Sequence, residues 1–235
     1  MSEFEQDNPS SLGGASAEDE ETKETGRLEA FSDGVFAIAI TLLVLEIQLP
    51  RGVAANNLAA AVLSQWPSLL AYVVSFLSIL VMWLNHHSLA QFVRRADRLF
   101  FVYNGVLLMA ITFVNYPTAL VAQAATLSLN DQRFAAWMYS GTMVVIAALY
   151  NLLWVYASQG RRLIARNIPD QAVRAVTRQY IWGVPLYAIS FLLAFASPLA
   201  SLAVIFAMAV YFAFTGNIGN PARATRRATK RGARS

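Results

Sequence analysis

The sequence predicts an all-α integral membrane protein of six transmembrane helices, with both termini cytoplasmic. Three observations predict it. Hydrophobic residues make up 57% of the 235 and charged residues only 14%, with a mean hydropathy of +0.45; a soluble domain carries about a quarter of its residues as charges. The apolar residues fall in long runs without strand-like alternation. The basic residues are lopsided: the termini and even-numbered loops hold 16 of the 18 Lys and Arg, and the other loops hold only Arg51 and Arg133. Such a bias marks the cytoplasmic side.

Residues 1–26 are acidic and rich in Ser, Gly and Glu, and have little to bury. They read as a disordered tail, without the basic and apolar regions of a signal peptide. The first span runs from Phe31 to Leu49, 19 residues or about 28 Å of helix, close to the hydrocarbon thickness. Pro50-Arg51-Gly52 stops it. Asn56–Gln65 is an Ala/Leu-rich interfacial connector, and Pro67 suits the first turn of a second span reaching Ser88. Arg94–Arg98 forms a basic turn. The third span is Leu99–Val121, kinked by Pro117. The fourth is Phe134–Tyr156. A loop with Arg161, Arg162, Arg166, Arg174 and Arg178 leads to the fifth, Gln179–Ala196. Ser197-Pro198 turns the chain into a short sixth span, Leu199–Phe214, and a basic tail follows.

Nine of the fourteen acids precede Ala30, and six of the eighteen basic residues follow Asn220. Nucleic-acid binding is one reading of so basic a tail. Beside a membrane span, orientation and contact with anionic headgroups explain it better, and no nucleic-acid partner is expected. There is no cysteine, so disulfides and thiolate metal sites are excluded.

The chemistry gathers at the start of the first span. Ionisable groups are costly at such depth and mark a function or a buried partner. Asp33 faces the Trp83-Leu84-Asn85-His86-His87 end of the second span at one membrane depth, and an Asn amide, an imidazole or an indole N–H there offsets its cost. Ser32 and Asp33 also suit a helix N-terminal cap. At 100° per residue Asp33 lies about 140° from Ile38, whereas Ile38, Leu42 and Leu45 fall within about 60° of one another. The first helix therefore has a clasping face and a bulky apolar face. The apolar face fits a pore lining or ordinary helix packing. His86 and His87 with Asp33 make at most a thin metal site, because adjacent histidines on a helix point about 100° apart; no cofactor or metal is expected.

Arg27-x-x-x-Phe31-Ser32-Asp33-Gly34 followed by AIAITLLVLEI resembles the signature of the transmembrane protein 175 family, lysosomal potassium channels and their bacterial relatives. Pro67, Tyr72, Ser75-Phe76, Trp83 and His86-His87 are similar to the family's second span, and Arg98, Asn104 and Pro117 to its third. The resemblance covers Arg27–Thr118 specifically and the last three spans only in number and layout. It implies a potassium-permeable cation channel, not an enzyme, without a Thr-Val-Gly-Tyr-Gly filter. One six-span repeat implies a homotetramer whose first helices line a central pore. By position, Ile38 is the constriction, with Leu42, Leu45 and Thr41 beside it. Arg27, Phe31, Ser32 and Asp33, with Trp83, Asn85 and His86, become a structural knot at the cytoplasmic end. Proton permeation also follows from the resemblance, as does a multi-pass place in a bacterial inner membrane.

The expected division is then an acidic tail (1–26), a channel domain (27–215) and a basic tail (216–235). The competing reading is a proton-coupled secondary transporter with Asp33, Glu46 and His86 as relay. A third is an intramembrane metal enzyme at His86, His87 and Asp33.

Overall fold

The computed structural model describes residues 10–47, 57–165 and 167–215. The expected stop at Pro50–Gly52, Arg166 and the basic tail lie outside the described residues. The helices in order are α1 (Ser10–Leu42), α2 (Leu58–Ser64), α3 (Trp66–Ala90), α4 (Arg98–Thr112), α5 (Asn115–Ala124), α6 (Leu129–Ser158), α7 (Asp170–Ala196) and α8 (Pro198–Thr215). Five stretches are long and apolar enough to cross a bilayer, counting α4 with α5 as one; Pro198–Phe214 is a shorter apolar helix. At about 1.5 Å per residue its 18-residue helix spans about 27 Å.

α6 is the central post. It packs on α4, α5, α7 and α8 through Ala135, Tyr139, Met143, Ile146, Tyr150, Leu153 and Trp154, a run at helical spacing that is buried throughout. Lipid supplies no hydrophobic drive between helices, so close packing and internal hydrogen bonds must hold them. Thr118 donates to the Val114 carbonyl at 2.7 Å, so it accepts from Ser75 at 2.7 Å. Ser75 in turn accepts from the Tyr139 hydroxyl at 2.9 Å. The relay ties α3, α5 and α6 together. Tyr150 donates to the Met82 carbonyl at 2.6 Å.

Pro117 acts as the sequence implies, and more strongly. Its missing N–H leaves the Phe113 carbonyl without its helical donor; Tyr116 N–H fills the vacancy at 3.0 Å, and the third span divides into α4 and α5 there. Ser197 N-caps α8 by accepting from Ala200 N–H at 3.3 Å.

Two boundaries differ from the sequence reading. Within the described residues α1 reaches back to Ser10, so residues 10–26, which composition reads as disordered, continue the first span as helix. Once a membrane helix is nucleated, each residue added to it closes one further hydrogen bond, so the polar stretch can follow despite its glycines. α7 likewise begins nine residues before Gln179, with Asp170 in its first turn, where a carboxylate favours the helix dipole. Arg174 and Arg178 thus stand one turn apart on an exposed helix face.

The basic loops are clasped at one end of the bundle. Arg94 N–H donates to the Leu163 carbonyl at 2.9 Å, and Ala165 N–H to the Phe92 carbonyl at 3.1 Å. Asp97 caps α4 through Phe100 N–H at 2.9 Å, accepts from the Tyr156 hydroxyl at 2.6 Å and pairs with Arg162 at 3.0 Å. Partial desolvation pushes the Asp97 carboxyl up, but the Tyr156 hydroxyl, the Phe100 N–H and the Arg162 charge outweigh it and hold the group below the usual carboxylate range.

Candidate functional site

α1 rests on α3 and α4 at the edge of the bundle, and its two sides have different fates. Leu28, Ser32, Phe36, Ala39 and Leu43 are buried; they recur every three or four residues and form one stripe. About 110° around the helix, Phe31, Ile38, Leu42 and Leu45 are 61%, 59%, 42% and 64% exposed. The α-helix ends at Leu42 and Leu43–Glu46 is a 3-10 turn. Residues three apart eclipse in that geometry, so Leu45 stands over Leu42, closer in line than an α-helical wheel would place it. Thr41 is exposed on the same side, its hydroxyl donating to the Ile38 carbonyl at 3.0 Å. Ile40 turns inward and packs on the core.

The clasping side carries a polar network. Trp83 Nε1 donates to Asp33 Oδ1 at 2.8 Å, so of the three donors the sequence offered Asp33, the indole is the one used. His86 Nε2 donates to Asn104 Oδ1 at 2.7 Å, Asn104 Nδ2 to Ser32 Oγ at 3.0 Å, and Ser32 Oγ to the Leu28 carbonyl at 2.8 Å. That chain joins α3, α4 and α1 across the bundle, with Asn104 only 1% exposed. One turn nearer the end, His87 Nδ1 lies 2.9 Å from Glu29 Oε1, and the His87 ring stacks on Trp83. Each deep polar group of α1 is thereby matched, which keeps its burial tolerable.

The structural motif divides within one chain. Ser32, Asp33, Trp83 and His86 form the knot. Asn85 turns away to α7, accepting from Gln179 Nε2 at 3.5 Å and, at its carbonyl, from the Tyr180 hydroxyl at 3.4 Å. Arg27 and Phe31 are exposed on the Ile38 side. Glu29 and Asn104 belong to the knot but were not singled out as site residues from the sequence. Glu29 sits four residues before Asp33, hence on the same face, and a lone Asn in an apolar span marks a hydrogen-bonded position. Asp33, His86 and His87 take three different partners, and among the described residues no three His, Cys, Asp or Glu side chains gather as metal ligands. Asp33 and Glu46 are 13 residues apart, about 20 Å along the helix.

A family model described as "Endosomal/lysosomal potassium channel TMEM175" matches residues 27–115, which are α1 from its Arg27 through α4 to the first residue of α5. A potassium channel of Chamaesiphon minutus is 49% identical over 199 residues, 84% of this chain and 97% of that one. The chain belongs to the TMEM175 family. A potassium channel of Streptomyces collinus is 40% identical over 81% of this chain and 92% of its own. The zebrafish endosomal/lysosomal proton channel TMEM175 is 34% identical over 56% of this chain but only 26% of its own length. The crystal structure of a lysosomal potassium-selective channel TMEM175 homolog from Chamaesiphon minutus superposes with a TM-score of 0.75 at 48% identity, over 83% of this chain and 99% of that one. TMEM175 is a family of membrane ion channels, and the α6–α8 half, beyond the reach of the family model, is carried by the full-length relatives.

Proposed function

We propose that this chain is a potassium-permeable cation channel in which four copies of α1 surround a pore. The observation that carries this reading is the open apolar stripe Phe31–Ile38–Leu42–Leu45 on a helix whose other side is locked to α3 and α4. An exposed stripe of this kind does not complete the fold of one chain; it needs other copies of α1 or lipid to face it. Ile38 is the narrowest ring, Leu42 and Leu45 are further apolar layers, and Thr41 offers a hydroxyl oxygen between them. Conduction is controlled by wetting: apolar walls give water no hydrogen bonds in place of those it loses, so a small widening of the ring opens the path. Selectivity then rests on stripping part of the hydration shell rather than on a carbonyl cage. Proton passage along a transient water file fits the same path, and a relative in the family is named for it.

The proposed setting is a bacterial inner membrane, with six spans and both termini cytoplasmic. Residues 27–215 form the channel domain, 1–26 an acidic extension, and 216–235 a basic tail held near anionic headgroups.

The test is ion flux in proteoliposomes with imposed potassium or sodium gradients. Potassium should move down its gradient without any second ion, faster than sodium, in unitary currents far above transporter turnover. Flux that demands a coupled gradient, or a monomer as the conducting species, would overturn the reading.

A further inference from the structure

The loops rich in arginine lie at one end of the bundle; among the described residues, the other end holds a single basic side chain, Arg133, in the second turn of α6. Arg133 Nε and Trp137 Nε1 are both buried without a hydrogen-bond partner. They are four residues apart and share a face of α6. Asp131, the carboxylate nearest in sequence, is about 200° around from Arg133 and accepts from the Ser128 hydroxyl at 2.6 Å. Side chains on a helix lean toward its N-terminus, here the membrane-surface end. The lean directs the guanidinium toward headgroup level, with its buried Nε and the stem in the apolar layer and the indole one turn below.

Beneath the pair, a cleft of about 820 Å³ separates α4, α6 and α7, walled by Met109, Phe113, Trp137, Val145 and Phe191. Gly141 shapes its back wall: a Cβ there would meet the Phe191 ring at 3.3 Å. Met109 and Val145 are 66% and 53% exposed, so the cleft opens outward, to where acyl chains lie. From Trp137 to Val145 the helix rises about 12 Å, most of one leaflet of a hydrocarbon core about 30 Å thick.

We propose that this cleft is a binding site for one phospholipid of the leaflet on this side. Its phosphate is held by the terminal nitrogens of the Arg133 guanidinium, and one acyl chain lies along the cleft past the Trp137 ring. A charged guanidinium on phosphate makes the stronger class of hydrogen bond, and a Trp at this depth is apolar below and polar above. A neighbouring subunit is the poorer occupant. Among the described residues, the carboxylates at this end are Asp131, already engaged by Ser128, and Glu46 at the end of the first span, so a second copy has only Glu46 to set against Arg133. The site stands apart from α1 and does not depend on what α1 conducts.

The experiment is native mass spectrometry of the full chain, purified in mild detergent after equilibration with mixed phosphatidylglycerol and phosphatidylcholine. About one phospholipid per chain should survive, with phosphatidylglycerol preferred. Arg133→Gln should lower occupancy by about tenfold, the scale of one charge-assisted hydrogen bond, and Val145→Trp, which fills the cleft from an exposed position, should abolish it. Ion flux of both variants serves as the folding control and should match the parent. Occupancy unchanged in either variant overturns the site. So does a free fatty acid in place of phospholipid, or a Val145→Trp protein that loses its oligomer, since the cleft would then face another subunit. If neither variant folds, the wild-type preference decides: equal retention of the two lipids overturns the charge argument.

Discussion

The two sides of α1 differ in what they are missing. The clasping side is engaged: Ser32, Asp33 and Glu29 each meet a partner on α3 or α4, and the apolar residues of that stripe are buried. The other side carries side chains of the same size and hydropathy, yet Ile38 and Leu45 stay more than half exposed within the chain. Hydrophobicity does not separate the two, because nearly every position in a lipid-spanning helix is apolar. The polar residues separate them. Each buried hydroxyl, amide or carboxylate has a strict requirement for a partner, so the knot fixes the rotation of α1, and the rotation decides which isoleucine is turned outward. In this helix the hydrogen bonds set the orientation and the open face inherits its role.

The largest effect that tests this contrast is a polar swap on each side. Ile38→Asn places an amide on the open face, where it holds water and coordinates ions. Potassium and sodium flux should both rise severalfold, and discrimination between them should fall. Ile40→Asn puts the same amide against the core, so it should lower stability and yield without that leak. Liposome flux on correctly assembled protein decides: equal leak from both would erase the distinction between the faces, and a leak confined to Ile40 would mean that α1 is turned the other way.

Next comes the centre of the knot. Asn104→Ala removes the acceptor of His86 and the donor to Ser32 at once, in a nearly dry position. Leaving two buried groups unmatched costs about 2–4 kcal/mol, read as a lower thermal midpoint and a smaller oligomer peak. Asp33→Ala, at a half-buried position with Trp83 as partner, costs less, about 1–2 kcal/mol. It should disturb assembly before selectivity. A stable oligomer with altered ion preference would instead place Asp33 on the permeation path.

Much of this was legible in the sequence for a physical reason. A bilayer demands long apolar runs, so the spans announce themselves, and Pro117 and Ser197-Pro198 act through local backbone chemistry that needs no tertiary information. The division of α1 into two faces follows from helical periodicity once Asp33 is taken as the clasping residue. What the residues withheld were choices among equals. Trp83, Asn85 and His86 all offered Asp33 a donor within one turn, and only packing sends Asn85 to α7 and His86 to Asn104. The helical stretch before Arg27 was also hidden, because a polar, acidic segment looks the same to composition whether or not a membrane helix continues into it. The cleft under Arg133 is invisible for a third reason: it is made by three helices distant in sequence.

The smallest expected effect lies at the loop clasp, where charge rather than burial is at work. Asp97 has a folded-state pKa below its ordinary value. Its ionised form therefore adds stability that is fully present above the unfolded pKa, about 3.9, and is lost as pH falls through the lower, folded value. Asp97→Asn keeps an N-cap of equal quality for Phe100 but removes the charge that meets Arg162 and strengthens the bond from Tyr156. Because the ion pair is partly exposed, the difference at pH 7 should be small, about 1–2 °C in thermal midpoint. It should shrink below about pH 4 and close once the wild-type carboxyl is itself protonated. The comparison is one of slopes: wild type should lose midpoint faster than the variant across that acid interval. Parallel curves would mean that Asp97 acts through its cap alone, and that the clasp owes nothing to charge.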